Sequence, residues 1–280
     1  MPNPAPTVRL RRLASELVQL RRSANLKRDD VVRLTGINMA TVYRIESAKT
    51  RPQPRTLRSL LDVYGVDEKK RVELLAILKD AGERGWLQSS LGLPEQYATY
   101  IQFESEARRL LNYESLFVPG LLQTEGYARA VIQGTDPSAS DTEVEERVAA
   151  RLERQALMAS RSVELLAIAD EAALRRSVGG TRTMRAQIRR LLAVADEPNI
   201  TFQVIPFEAG AHTGMTGGFV VMKFPEGMPD VIYMEHLTSD HFLEQEADTC
   251  RYNLSFNGLQ AIAASQKETQ VLLSKILPHK

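Results

Sequence analysis

Five cations stand close together in the sequence: Lys27, Arg28, Arg44, Lys49 and Arg51. Ammonium and guanidinium groups at this density suit anions, and a guanidinium adds planar, bidentate recognition that an ammonium lacks. They belong to a wider imbalance. Residues 1–65 hold 13 Lys/Arg against 5 Asp/Glu and the rest of the chain holds 23 against 30, so a formal net charge of +1 conceals a basic head and an acidic body. A basic head of this kind suits a polyanion, most often nucleic acid.

The acidic body offers less chemistry. Of the four histidines, His212, His236, His241 and His279, only Glu235-His236 with Asp240-His241 looks metal-like. That spacing is neither the i, i+4 pair of a helical zinc site nor a known hairpin pattern, so it reads as polar residues closing a strand. Asp170-Glu171 precedes a helix and reads as a cap with salt partners in Arg175 and Arg176, in preference to a catalytic carboxylate pair. Gly179-Gly180 and Gly214-Met215-Thr216-Gly217-Gly218 are turns, and neither leads into the Lys-Ser/Thr of a phosphate-cradling loop. The loop around His212 and Thr213 could line a ligand or partner pocket, with a tight strand connection as the plainer reading. The single cysteine, Cys250, excludes an intramolecular disulfide and a zinc site of paired thiolates, and reads as a core residue. No metal or cofactor is expected, and the chain is not read as an enzyme.

At 280 residues, 43% hydrophobic and 25% charged, the chain has room for two ordinary globular domains. No apolar run approaches the ~18 residues of a membrane span, and no apolar segment follows the first basic residues. A cytoplasmic, nucleoid-associated protein without membrane contact is the expectation.

The elements that must position the cations are helical. Leu10, Leu13, Leu17 and Leu20 predict an amphipathic helix over Leu10–Arg22. Asn25 tolerates the left-handed conformation of a tight turn. A second helix is expected over about Lys27–Leu34, burying Leu26, Val31, Val32 and Leu34. Gly36 is available for positive φ, and Asn38 is a good N-cap for a third helix, Met39–Ser47. Val42 and Ile45 face inward on it, leaving Met39, Ala40, Thr41 and Arg44 outside and Tyr43 oblique. Leu57, Leu60, Leu61 and Val63 mark a fourth helix ending near Gly65. From Asp67 a further helix burying Val72, Leu75 and Leu78 is expected to join the domains, with a break at Gly82 and Gly85 before Trp86.

Helix, short turn, helix with a polar outer face is the helix-turn-helix arrangement. The sequence over Leu10–Val66 closely resembles the lambda-repressor/Cro-like, or Xre-like, family through Gly36-Ile37, Thr41-Val42, Arg44-Ile45-Glu46 and Arg51-Pro52-Gln53-Pro54 with Leu57. It departs at Asn25 and Ala48, where the family usually has glycine, and at Lys27-Arg28, where it usually has Thr-Gln. The resemblance implies double-stranded DNA as partner, with Met39, Ala40 and Arg44 at base edges and Thr41 and Asn38 nearer the backbone. Arg44 is the best base reader, because a guanidinium meets guanine O6 and N7 bidentately. Lys27, Arg28, Lys49 and Arg51 would hold phosphates, while Glu46 braces a neighbouring cation.

The body reads as mixed α and β. Helices are expected over Gln96–Asn112, after a Thr124 cap with Tyr127 and Val131 buried, over Asp141–Ser160, over Met184–Ala195 with Ile188, Leu191 and Leu192 inward, and over Glu244–Ala264 and Gln266–Leu277. Strands are expected at Val163–Ala169, Thr201–Ile205, Gly218–Phe224 and Val231–Met234. Trp86, Tyr113-Glu114, Val118-Pro119-Gly120-Leu121-Leu122-Gln123-Thr124, Asp170-Glu171, Gly179-Gly180, Ile205-Pro206-Phe207, Ala209-Gly210-Ala211-His212 and Gly217 resemble an actinobacterial domain of unknown function. That domain is typically fused behind an Xre-like head in antitoxin-like transcriptional regulators, WhiJ-type regulators among them. The resemblance implies a possible partner in a small protein encoded next door.

The fold expected is therefore an all-α head at 1–66, a helical joint at 67–85 and an α/β (α+β) domain at 86–280 for dimerisation and for binding a partner or effector. The function expected is sequence-specific transcriptional regulation by a homodimer on a pseudo-palindromic operator. The alternative is an antitoxin-like protein that mainly neutralises a small partner, DNA binding being secondary.

Overall fold

In the computed structural model, residues 8–80, 95–161, 163–225, 228–237 and 239–277 are described. They fall into two compact units, a head that includes residues 8–80 and a body that begins, among described residues, at 95. The break expected at Gly82–Trp86 lies outside the described residues, as does His279.

The head is five helices: α1 (Val8–Ser23), α2 (Arg28–Thr35), α3 (Met39–Glu46), α4 (Pro54–Val63) and α5 (Glu68–Asp80). Its core joins Leu13 and Leu17 of α1, Val31 of α2, Val42 and Ile45 of α3, Leu57, Leu60 and Leu61 of α4, and Leu74 and Leu78 of α5. The helix expected to act as a joint thus completes the head's core. Its buried face runs through Leu74 and Leu78, and Val72, expected inside, is 59% exposed. Leu34 is likewise exposed, because the buried side of α2 is centred on Val31, with Val32 and Thr35 beside it. Each of the four turns between these helices uses positive φ, at Asn25 (54°), Gly36 (70°), Ala48 (55°) and Gly65 (68°). Ala48 takes a conformation that costs a β-carbon roughly 1–2 kcal/mol, which is the penalty glycine would remove there.

The body contains α6 (Glu95–Glu106), β1 (Arg109–Glu114), α7 (Glu125–Thr135), α8 (Asp141–Arg161), β2 (Glu164–Asp170), α9 (Glu171–Arg175), α10 (Gly180–Ala193), β3 (Ile200–Ile205), β4 (Phe219–Lys223), β5 (Val231–Glu235), β6 (Asp240–Leu243), α11 (Glu246–Ile262) and α12 (Gln266–Ile276). One mixed sheet runs in the order β3-β2-β1-β4-β5-β6. β1, β2 and β3 are parallel, as helical crossovers require, whereas β4, β5 and β6 form an antiparallel meander on the other side of β1. The all-α head followed by an α+β domain is the architecture expected.

The helix expected over Gln96–Asn112 is two elements, α6 and β1. A central strand buried on both faces reads as a continuous apolar run, so Leu110-Leu111 continues the helical leucine pattern without alternating. β6 was not expected; Asp240-His241-Phe242-Leu243 lacks a β-branched run. On α7 the inward residues are Tyr127 and Ile132, and Val131 is only half-buried. Cys250 is exposed: the buried face of α11 carries Thr249, Phe256 and Leu259, and Cys250 is turned out of it.

Two features stiffen the body. The outer edge of β3 is closed by the turn between α11 and α12, where Ala264 N–H donates to the Val204 carbonyl (2.8 Å), and by the first turn of α12, where the Thr269 hydroxyl accepts the Val204 N–H (3.2 Å). Arg154 on α8 makes a two-pronged pair with Glu104 on α6, Nε to Oε1 at 2.7 Å and Nη2 to Oε2 at 2.6 Å. Tyr100 donates its hydroxyl to the same carboxylate (2.7 Å), and Arg154 donates to the Tyr97 hydroxyl (2.7 Å).

Candidate nucleic-acid interface

The face of the head that sequence reasoning singles out is built on α3. Asn38 holds extended backbone at the helix entry, and its side chain accepts the Ala40 N–H at 2.8 Å. This cap satisfies one of the unpaired donors of the first turn and fixes where the helix starts. Met39, Ala40, Tyr43 and Arg44 are exposed, Thr41 is half-buried, and Val42 and Ile45 point into the core. The three residues expected at base edges therefore share the solvent side of one short helix.

What holds that helix in place is a buried carboxylate. The Glu46 side chain is 1% exposed and accepts Arg21 Nε at 2.6 Å, Arg21 Nη2 at 3.1 Å and Arg28 Nε at 2.7 Å. Arg21 also donates to the Leu26 carbonyl (2.9 Å). One acid at the end of α3 is thereby tied to α1, to the start of α2 and to the turn between them. The hydrogen bond that Arg21 donates to Glu46 raises the Arg21 pKa above its ordinary value, against the opposing effect of burial. Tyr64, buried close to the same carboxylate, is pushed up by burial first and by the Glu46 charge second. Glu46 was expected to brace a cation, and it braces two.

The expected phosphate-binding cations do not behave alike. Lys27 is exposed at the entry to α2, its N–H donating to Asp30 Oδ2 at 3.0 Å. The Arg28 guanidinium lies 5.4 Å from the Tyr43 ring centroid, and the Lys49 ammonium 5.5 Å from it. Arg51 turns elsewhere: its Nε and Nη2 donate to the Leu78 carbonyl at 3.2 and 2.7 Å, satisfying the last turn of α5. Tyr43 went unremarked as a meeting point in the sequence. The available signal was its position four residues beyond Met39, on the exposed side.

His212 and Thr213 lie in the body, at the end of the sheet where β1, β2 and β3 finish. Asp170 ends β2 and accepts the Ala172 N–H (2.8 Å), the cap expected of it. Its second oxygen stands 3.2 Å from His212 Nε2. An ionised carboxylate only accepts, so the hydrogen between the two lies on Nε2. The His212 side chain is 5% exposed, and its Nδ1 and the Tyr113 hydroxyl are buried without hydrogen-bond partners. The two rings meet edge-on with centroids 6.1 Å apart. Gly214 sits against Tyr113 so closely that a β-carbon there would fall 2.3 Å from the ring. Thr213 accepts the Ser255 hydroxyl at 2.8 Å, fastening the loop to α11. Glu114, beside Tyr113, is pushed up to about 7 by burial, with the Glu235 charge adding to the rise and the Asn112 hydrogen bond opposing it. The structure thus gathers Tyr113, Asp170 and His212, three residues distant in sequence, at one end of the sheet, where open parallel sheets bind ligands. Glu114, next along β1, is turned to the opposite face, with Asn112.

Elsewhere Glu171 pairs with Arg175 (2.7 Å) and accepts the Phe207 N–H (3.0 Å). The His236 and His241 rings lie 5.5 Å apart, and no group of three or more metal-ligating residues occurs among the described residues. No described helix is long and apolar enough to cross a membrane.

Comparison with known families gives two matches. A family described as a domain of unknown function, DUF5753, matches residues 97–275. A helix-turn-helix domain matches residues 12–74. No curated protein and no solved structure matches the chain.

Proposed function

Because the chain belongs to the DUF5753 family and carries a helix-turn-helix domain ahead of that region, we propose that it is a sequence-specific, DNA-binding transcriptional regulator of the lambda-repressor-like kind. The observation that carries this reading is α3, whose exposed side presents Met39, Ala40 and Arg44 while Glu46 fixes its buried end. A helix so held enters the major groove with its first turns at the base edges. Arg44 reads a guanine through O6 and N7, Met39 and Ala40 pack on thymine methyl groups, and Thr41 and Asn38 lie nearer the backbone. Lys27, Arg28 and Lys49 neutralise phosphates. Arg51 joins them less directly, since two of its nitrogens already serve the Leu78 carbonyl.

One head covers only a few base pairs, so two copies paired through the body would address half-sites about 34 Å apart on a pseudo-palindromic operator. The site works in the cytoplasm, on the nucleoid. The body's second task is to receive a small protein or ligand at the His212 and Thr213 loop. The buried Tyr113 hydroxyl and His212 Nδ1, both without partners, favour that assignment over a plain strand connection. An antitoxin-like role, in which that partner is the main client and DNA binding serves autoregulation, shares the same parts.

The electrostatic half of the reading is tested by salt. Affinity of the full chain for a short duplex falls steeply as salt rises, and Lys49→Ala flattens the slope of log affinity on log salt by about one. Binding indifferent to salt contradicts it.

A further inference from the structure

Arg28 and Lys49 come from different elements, one at the start of α2 and one just past the end of α3, yet both come within cation–π reach of Tyr43. Neither arrives by accident of a loose chain. Arg28 is anchored by its Nε on buried Glu46 (2.7 Å), and the Lys49 N–H donates to the Arg44 carbonyl at 2.8 Å, where Ala48 turns the chain at φ 55°. Tyr43 itself is 46% exposed, on the same helix as Met39, Ala40 and Arg44. Two like charges drawn to one ring repel each other. The electron-rich face of the phenol offsets part of that repulsion, and an anion laid over both cations offsets more. Nucleic-acid backbone is the anion whose charges are spaced regularly enough to meet both.

We propose that Tyr43 is the platform of a two-cation phosphate clamp, holding Arg28 and Lys49 in register on the DNA backbone beside the helix that reads the bases. The proposal rests on the DNA-binding reading above. It assigns the work to the ring and none to the hydroxyl, so Tyr43 acts through its two neighbours as a positioning residue.

The test uses the full chain, a duplex of random sequence and a duplex selected by the wild type. Tyr43→Phe keeps the ring and binds both duplexes within about twofold of wild type. Tyr43→Leu keeps the bulk, loses the π face, and binds both about three- to tenfold more weakly, with a shallower salt slope. If Tyr43→Leu matches wild type, or if Tyr43→Phe falls as far as Tyr43→Leu, the clamp is overturned. A wild type that binds neither duplex overturns the DNA-binding reading, and the clamp with it. Melting curves check that each variant is folded. If Tyr43→Leu melts lower, the cycle with Lys49→Ala decides: losses smaller in combination than their sum support the clamp, and strictly additive losses reject it.

Discussion

The head and the body each bury an arginine–glutamate pair, and the two pairs differ in what closes them. In the body, Arg154 and Glu104 are enclosed by Tyr97 and Tyr100, so that the charge is satisfied internally and both side chains are buried. In the head, Glu46 is shared between buried Arg21 and Arg28, and the Arg28 side chain is 40% exposed. The first arrangement locks two helices together. The second carries a fixed charge from the core to the surface, at the point where α2 and α3 present their cations. The same chemistry serves structure in one unit and preorganises a surface in the other. Such pairs contribute little net stability over an apolar replacement, but leaving one partner alone is costly.

That comparison can be broken. Glu104→Ala and Glu46→Ala each strand a buried arginine, and each is expected to destabilise its own unit by about 3–5 kcal/mol. Hydrogen exchange would locate the loss: in α6 and α8 for Glu104→Ala, and in α1, α2 and α3 for Glu46→Ala. Only Glu46→Ala should also weaken DNA binding. If both variants deprotect both units equally, the two pairs do not do separate jobs.

A second test concerns another acid of the body, the half-buried Glu114. Glu114 titrates higher in the folded chain than in the unfolded one, so the native state holds the extra proton between the ordinary carboxylate range and about 7. Stability therefore declines as pH rises through that window and levels off above it. Glu114→Gln removes the charge and should stabilise the body by about 1–3 kcal/mol at pH 8, while changing little at pH 4. Denaturant melts at both pH values check this, and an equal effect at the two would refute the assignment.

Smaller effects sharpen the picture of the head. Asn38→Ala removes the cap of α3 and should cost about 1 kcal/mol of stability, with weaker binding to all duplexes. Arg51→Ala exposes the last carbonyls of α5 and should cost about 0.5–1.5 kcal/mol, visible as a lower melting temperature even without DNA. A loss in Arg51→Ala confined to DNA affinity would instead mark it as a phosphate ligand first.

The two units also differ in how far their sequences can be read. The head's signals are local: Asn25, Gly36, Asn38 and the leucines of α1 and α4 each specify their own turn, cap or face, and each does so in the structure. What escaped was tertiary. Nothing local says that Leu74 and Leu78 complete the core, that Arg51 reaches across to α5, or that Arg28 and Lys49 meet at Tyr43. In the body β3, β4 and β5 are legible from β-branched or aromatic-rich runs and β2 is read at Val163–Ala169, but β1 is not, because Leu110-Leu111 continues the helical leucine pattern of the segment before it. The convergence of Tyr113, Asp170 and His212 depends on sheet order, and sheet order is a property of pairings distant in sequence.

The central claim is that the exposed start of α3 reads base sequence, and selection from a pool of randomised duplexes tests it most directly. The wild type should enrich one motif, and Arg44→Ala should enrich the same motif with preference lost at a single base pair while retaining its affinity for unselected DNA. The same motif at full strength from both proteins, or no motif from the wild type, would contradict the account.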